Sequence, residues 1–315
     1  MKKGSVIALI VAVVLIFAGG ILLMLGLSFA GDAEPVSRLT QQEILIQESF
    51  ENIQIDTADC NVTFVPYNGT ANAHVVLMER DATSHSVQVE DGTLKIQMTD
   101  NRTWKDHIGI HWERMEMTVY LPQSRYDTIW VSTETGDIRT PAPLSANEIL
   151  LRSATGDIYC DSAAVENLDC MTATGRISVK DGTVSVINLQ SSTGEIYLQD
   201  AVATQIHLRS TSGDKILENV DCKNLTCESD TGDVELEGVV AQEYLQVFTD
   251  TGDVEIENCD AGSVNIETDT GDVEGNFLTS KRFQVHSETG HVRVPNTREG
   301  GECRIETDTG DIRFE

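Results

Sequence analysis

The chain repeats itself from Ile129 onward, and a repeat of this period leaves few folds open. Ten glycines, each preceded by Thr or Ser, stand at 136, 156, 175, 194, 213, 232, 252, 271, 290 and 310, spaced by 19 or 20 residues. Seven residues before them runs a column of Ile129, Ile149, Leu168, Ile187, Ile206, Leu225, Leu245, Val264, Phe283 and Cys303. Five before, the column is equally apolar, from Val131 to Ile305. Three before, every residue is Ser or Thr. Two after, Ile or Val fills every place but Lys215. Apolar and small residues alternate with polar ones, the period of a strand with one buried face. Such a strand cannot cover its inner face alone, but stacked equivalents can. The fold class is therefore all-β, a parallel β-solenoid of about ten 19–20-residue coils, right-handed by the rule for parallel crossovers.

Local chemistry follows from that frame. A sharp turn at each glycine calls for positive φ, which glycine tolerates. The Ser/Thr columns are expected to bond to hydroxyls or backbone of the next coil. Lys215 sits in an inward slot, where a bulge is expected to pass the role to Ile216. Gly275 replaces a larger apolar residue, with Phe277 as its substitute. Among seven cysteines, Cys160, Cys170, Cys227 and Cys303 fall at inward places and read as free structural thiols. Cys60, Cys222 and Cys259 are less constrained.

The acidic columns pose the main electrostatic question. The residue after each glycine is usually Asp, and the last five repeats add Asp or Glu two before it. Between 230 and 315 there are 21 acids and 6 bases. Stacking brings these carboxylates within ~5 Å, a repulsion of ~0.8 kcal/mol per pair in water. Backbone N–H groups accepted by Asp in tight turns offset it. Calcium between coils is the alternative, with Asp230, Asp233, Asp250, Asp253, Asp269, Asp272, Asp308 and Asp311 as candidate ligands. Asp-Thr-Gly also occurs in aspartic proteases. Here the triplet is explained by the repeat, and no catalytic residues are assigned.

The region before the repeat divides into a cytoplasmic stub over 1–4, an uncharged segment over 5–30, a linker over 31–43 and a β-rich N-terminal part of the solenoid over 44–126; 127–315 is the Thr-Gly-Asp repeat domain. The 26 residues of the uncharged segment would span ~39 Å as a helix, enough for a transmembrane anchor. Lys2 and Lys3 place its N-terminus in the cytoplasm and the bulk of the chain outside. A cleaved signal peptide is the competing reading, against which the apolar stretch is long. Period-two runs at 44–46, 53–55, 62–65, 75–78, 87–89, 94–98 and 115–121 read as a cap over the solenoid's first coil, with Asp91-Gly92 as a hairpin turn. His107, His111 and Glu113 suggest a metal cluster, but no metal is assigned to them. Trp104, Trp112 and Trp130 read as packing or capping residues rather than a sugar platform. At the far end, a solenoid ending at Glu315 would need charge or a partner on its edge.

Acids outnumber bases 51 to 22, a formal charge of −29, which excludes nucleic acid as a partner. The Phe50-Glu-Asn-Ile-Gln-Ile-Asp opening, Asp91-Gly92-Thr-Leu-Lys-Ile, Val119-Tyr-Leu-Pro and the repeated Thr-Gly-Asp-Ile/Val resemble the bacterial putative-adhesin family. These are β-strand-repeat domains of unknown function, related to GIN-type adhesin head domains. The resemblance covers 44–315 and implies a surface β-helix, often tethered to a membrane, without catalytic residues or cofactors. The expected role is a non-catalytic adhesion or interaction module of the cell envelope, with an envelope protein or glycan as partner. A sensing or scaffold component contacting another membrane protein is the alternative. A polysaccharide-active β-helix enzyme is disfavoured, because the acidic face repels uronic polymers.

Overall fold

Each repeat supplies two strands, a long one ending near the glycine, such as Ser145–Ser153, and a short one beginning two residues after it, such as Ile158–Asp161. In the computed structural model, which describes residues 39–80, 83–100, 114–141 and 143–315, long strands stack on long and short on short. The result is the expected parallel β-solenoid, with the inward columns joined in one core. Register holds rung for rung: Ile129 lies opposite Ile149, Ile149 opposite Leu168, and so on to Leu245 opposite Val264. The segment over 5–30, His107, His111, Glu113, Trp104 and Trp112 lie outside the described residues. Among the described residues no helix is long and apolar enough to cross a membrane.

The glycines are needed mainly for close approach rather than for left-handed backbone. A Cβ on Gly156 would fall 1.9 Å from the carbonyl oxygen of Gly136, and one on Gly194 1.8 Å from that of Gly175. Among the repeat glycines positive φ occurs at four, Gly213 (145°), Gly232 (131°), Gly252 (157°) and Gly310 (158°). Left-handed backbone belongs instead to the coil's second corner, six residues after the glycine. There Ser162, Asp181, Asp200, Asn219, Gly238 and Asn258 all have φ between 50° and 63°. Asp, Asn and Gly accept that conformation at least cost.

The Ser/Thr column works with the glycines. Gly156 N–H donates to Ser153 Oγ (2.8 Å), which donates to the Gly136 carbonyl one coil back (3.0 Å); Thr172 repeats the pattern with Gly175 and Gly156. Hydroxyl-to-hydroxyl bonding of the expected kind occurs between Ser210 and Ser229 (3.3 Å). That stretch is disturbed by Lys215. No bulge forms: Lys215 keeps register with Ile196 and Val234, is 0% exposed, and donates through Nζ to Ser210 Oγ (2.5 Å) and the Gly213 carbonyl. Shifting the register would expose every neighbouring inward residue, so the chain buries the lysine instead. Burial lowers its pKa. Gly275 behaves as expected: the register shifts after Ile256, and the Phe277 ring stacks on Phe314 at 5.2 Å.

Both ends depart from simple chain order. Near the start, Asn52–Asp56 and Cys60–Pro66 form a further coil, with Cys60 in the glycine's place. It lies between the 129–140 coil on one side and Thr93–Asp100 with Met115–Leu121 on the other. Antiparallel strands then cover that end: Thr83–Glu90 pairs with Thr93–Asp100 across the Asp91-Gly92 turn, and Ala73–Glu79 pairs with Met115–Leu121. At the far end, Gly301–Thr309 and Ile312–Phe314 are inserted between the 264–277 and 281–293 coils. The coil reaching Glu315 is therefore interior, contrary to expectation, and 281–293 is outermost. Val292 there is 45% exposed, whereas Ile312 on the next layer is fully buried.

Two substitutions test this account. Gly156→Ala should destabilise the protein by about 3 kcal/mol in urea denaturation, because backbone rather than a flexible side chain must yield. Lys215→Ile, which restores the column, should stabilise it by about 2 kcal/mol at pH 7. An unfolded lysine binds its proton more tightly than the buried one, so the wild type is penalised below the ordinary lysine pKa. The difference between the two proteins should therefore narrow as pH rises toward about 10.

Candidate interaction surface

The acidic column after the glycine is a hydrogen-bond ladder running along the rod. Asp233 Oδ1 accepts the backbone N–H of Asp253 (2.9 Å), Asp253 that of Asp272 (2.7 Å), Asp272 that of Asp311 (2.7 Å) and Asp311 that of His291 (2.7 Å). The backbone does offset the repulsion, but across coils and not within the turn. The His291 N–H holds the Asp311 carboxyl below its usual range. Asn61 fills the role for Asp137 (2.9 Å). The ladder follows spatial order, so His291 stands where no further coil needs an acceptor. It is interrupted where Arg176 pairs with Glu195 (3.2 Å). Of the calcium candidates, Asp233, Asp253, Asp272 and Asp311 each commit one oxygen to this ladder. Asp230, Asp250, Asp269 and Asp308 are exposed. Among the described residues, no three His, Cys, Asp or Glu side chains converge in a way that could hold a metal ion.

One catalytic-looking set was not foreseen. Thr57 Oγ1 lies 2.8 Å from His85 Nε2, and His85 Nδ1 lies 2.9 Å from Glu79 Oε1. Thr57 occupies the Ser/Thr column of the coil without a glycine, which hid it from a glycine-based count. All three residues are buried. They tie Ala73–Glu79 and Thr83–Glu90 to the first coil, with Met98 Sδ accepting from Ala58 N–H (3.4 Å). The cysteines are all free and buried. Burial pushes the thiols of Cys160 and Cys259 up to about 11 and those of Cys222, Cys227 and Cys303 to about 12. Cys60 and Cys170 are likewise raised by burial. A nucleophilic thiol needs the opposite environment.

The outward side chains of the short-strand sheet form a banded surface. Toward the capped end, Arg139 lies over the Tyr159 ring (4.4 Å) and Lys180 over the Tyr197 ring (5.0 Å). Tyr159 and Tyr197 donate to Asp157 (3.0 Å) and Glu218 (2.6 Å). Burial and the Glu218 carboxylate push Tyr197 up to about 12. Further along, Glu235 lies beside Glu255 and Glu255 beside Glu274, while Glu237 lies beside Glu257. Partial burial and the Glu255 charge raise the Glu235 carboxyl. Parallel register thus stacks the outward positions of these strands into a cation–aromatic band followed by a carboxylate band, which ends where Arg313 pairs with Glu274 (3.6 Å). Trp130 lies half-buried on the other sheet.

The ladder predicts a graded response at Asp253. Asp253→Ala should cost about 1.5 kcal/mol, through loss of a charge-assisted bond to Asp272 N–H. Asp253→Asn, which keeps the acceptor as Asn61 does, should cost less than half of that in the same urea titration.

Residues 50–220 and 215–315 match the Toastrack DUF4097 family. No curated protein matches the chain. Among solved structures, one described as a putative adhesin from Parabacteroides merdae is similar at 13% identity, over 76% of this chain and 96% of its own, with a TM-score of 0.57. Another, a putative lipid binding protein from Parabacteroides distasonis, is similar at 16% identity over 76% and 96%, with a TM-score of 0.52. At such identities the likeness bears on the fold alone. The family matches extend from residue 50 to residue 315 and agree with the resemblance read from the repeated Thr-Gly-Asp segments. The chain belongs to the Toastrack DUF4097 family of β-repeat proteins.

Proposed function

We propose that this chain is a membrane-tethered, extracytoplasmic β-solenoid that serves as a non-catalytic adhesion or interaction module of the bacterial envelope. The banded outer face of the short-strand sheet carries this reading. It is a regular, rigid array of outward side chains, set by backbone register, which offers binding area along its length rather than a pocket. Rigid positioning lowers the ordering cost of association, and banded charge favours a partner with the reverse pattern. The uncharged segment over 5–30, preceded by Lys2 and Lys3, supports tethering with the solenoid outside. The adhesin-like description of a structural relative agrees with the role. The partner is an envelope protein or glycan bearing cationic groups opposite Glu235 and Glu255.

The test combines location and surface. External protease added to intact cells should remove the solenoid while leaving a short membrane-bound stub. A photo-crosslinker at Tyr159 should capture an envelope component on the same cells. Glu235→Gln combined with Glu255→Gln should reduce that capture at least tenfold without lowering the melting temperature. Full protection from protease, or capture unaffected by the double substitution, would refute the proposal.

A further inference from the structure

The out-of-order insertion at the far end has the makings of an exchangeable segment. Residues 301–315 bond on one side to the 264–277 coil and on the other to the 281–293 coil. Cys303 lies between Val264 and Phe283, and Ile305 between Ile266 and Val285. Polar bonds run to both layers: Thr307 Oγ1 donates to the Gly271 carbonyl (3.2 Å), and Ser287 Oγ donates to the Gly310 carbonyl (2.8 Å). The Phe314 ring sits 5.2 Å from Phe277 and 5.5 Å from Phe283. Cys303, Ile305 and Ile312 are fully buried. In contrast, the connection over 294–300 is mostly exposed. It is pinned by Thr297 Oγ1 donating to the Lys281 carbonyl and by Arg282 Nε donating to the Gly300 carbonyl (3.1 Å).

We propose that residues 301–315 exchange between two copies of this chain, each inserting its own segment between the 264–277 and 281–293 coils of the other. Every core contact and ladder bond of the segment is the same whichever copy supplies it. The balance between closed and exchanged forms therefore rests on the connecting segment and on concentration. The slot selects a second copy over an unrelated strand, because it needs small or apolar side chains at 303, 305 and 312 and a carboxylate at 311. Asp311 must both donate its N–H to Asp272 and accept that of His291. Among the described residues, the outermost coil pairs with the rest of its sheets through this segment alone. Exchange thus joins two rods at their far ends and doubles the surfaces each assembly presents.

The test uses the whole chain carrying Val264→Cys, which puts a second thiol on the rung beside Cys303. After partial unfolding and slow refolding at high concentration, gel filtration with light scattering should show a fraction of twofold mass. Oxidation should then join its two chains in a non-reducing gel. Unchanged mass, or a twofold mass in which the new bridge lies within single chains, overturns the proposal. A fluorescent peptide of sequence 301–315, refolded with the unsubstituted chain, gives an independent reading. Its stable uptake is expected, and its exclusion overturns the proposal even where Val264→Cys does not fold.

Discussion

The whole structure depends on backbone touching backbone at the glycine corner. There a carbonyl of one coil lies where a side chain of the next would have to be, and a Ser or Thr hydroxyl bridges the two. This contact fixes the vertical spacing and the register of every inward column above and below it. Once register is set, the outward columns follow without further specification. The charge pattern of the outer face is thus a consequence of a packing rule at one corner.

The second constraint is that like charges must stack. The protein meets it by giving each Asp carboxylate a neighbouring coil's N–H to accept, converting a column of repulsions into a column of charge-assisted bonds. The two devices reinforce each other, because the N–H that the carboxylate accepts directly follows the glycine.

The repeat made the solenoid, its inward columns and the free thiols of Cys160, Cys170, Cys227 and Cys303 legible, since period and side-chain size are written into the sequence. The coil at 52–66 was not legible, because Cys60 and Asn61 stand where other coils have Gly and Asp. Backbone register shows what the two letters hide: Asn61 still supplies an acceptor. At Lys215 a bulge would relieve one buried amine but shift a whole strand out of register, a cost that the sequence of a single repeat does not display. The left-handed corner was present as Asp181, Asp200, Asn219 and Asn258 but lay outside the columns counted from apolar period. The Thr57–His85–Glu79 contact depends on antiparallel cap strands whose partners no periodicity reveals. Stacking order at the far end was invisible for the same reason: any coil of this pattern fits above any other.

The coil at 52–66 has a consequence for how the molecule comes into being. One flanking layer is supplied by residues 93–121 and the other by residues 129–140, so the coil is not closed on both flanks until the later of the two has been made. The second flank closes only once the nascent polypeptide has emerged past residue 140. An exported chain would meet the extracellular medium with its earliest strands still waiting for later ones.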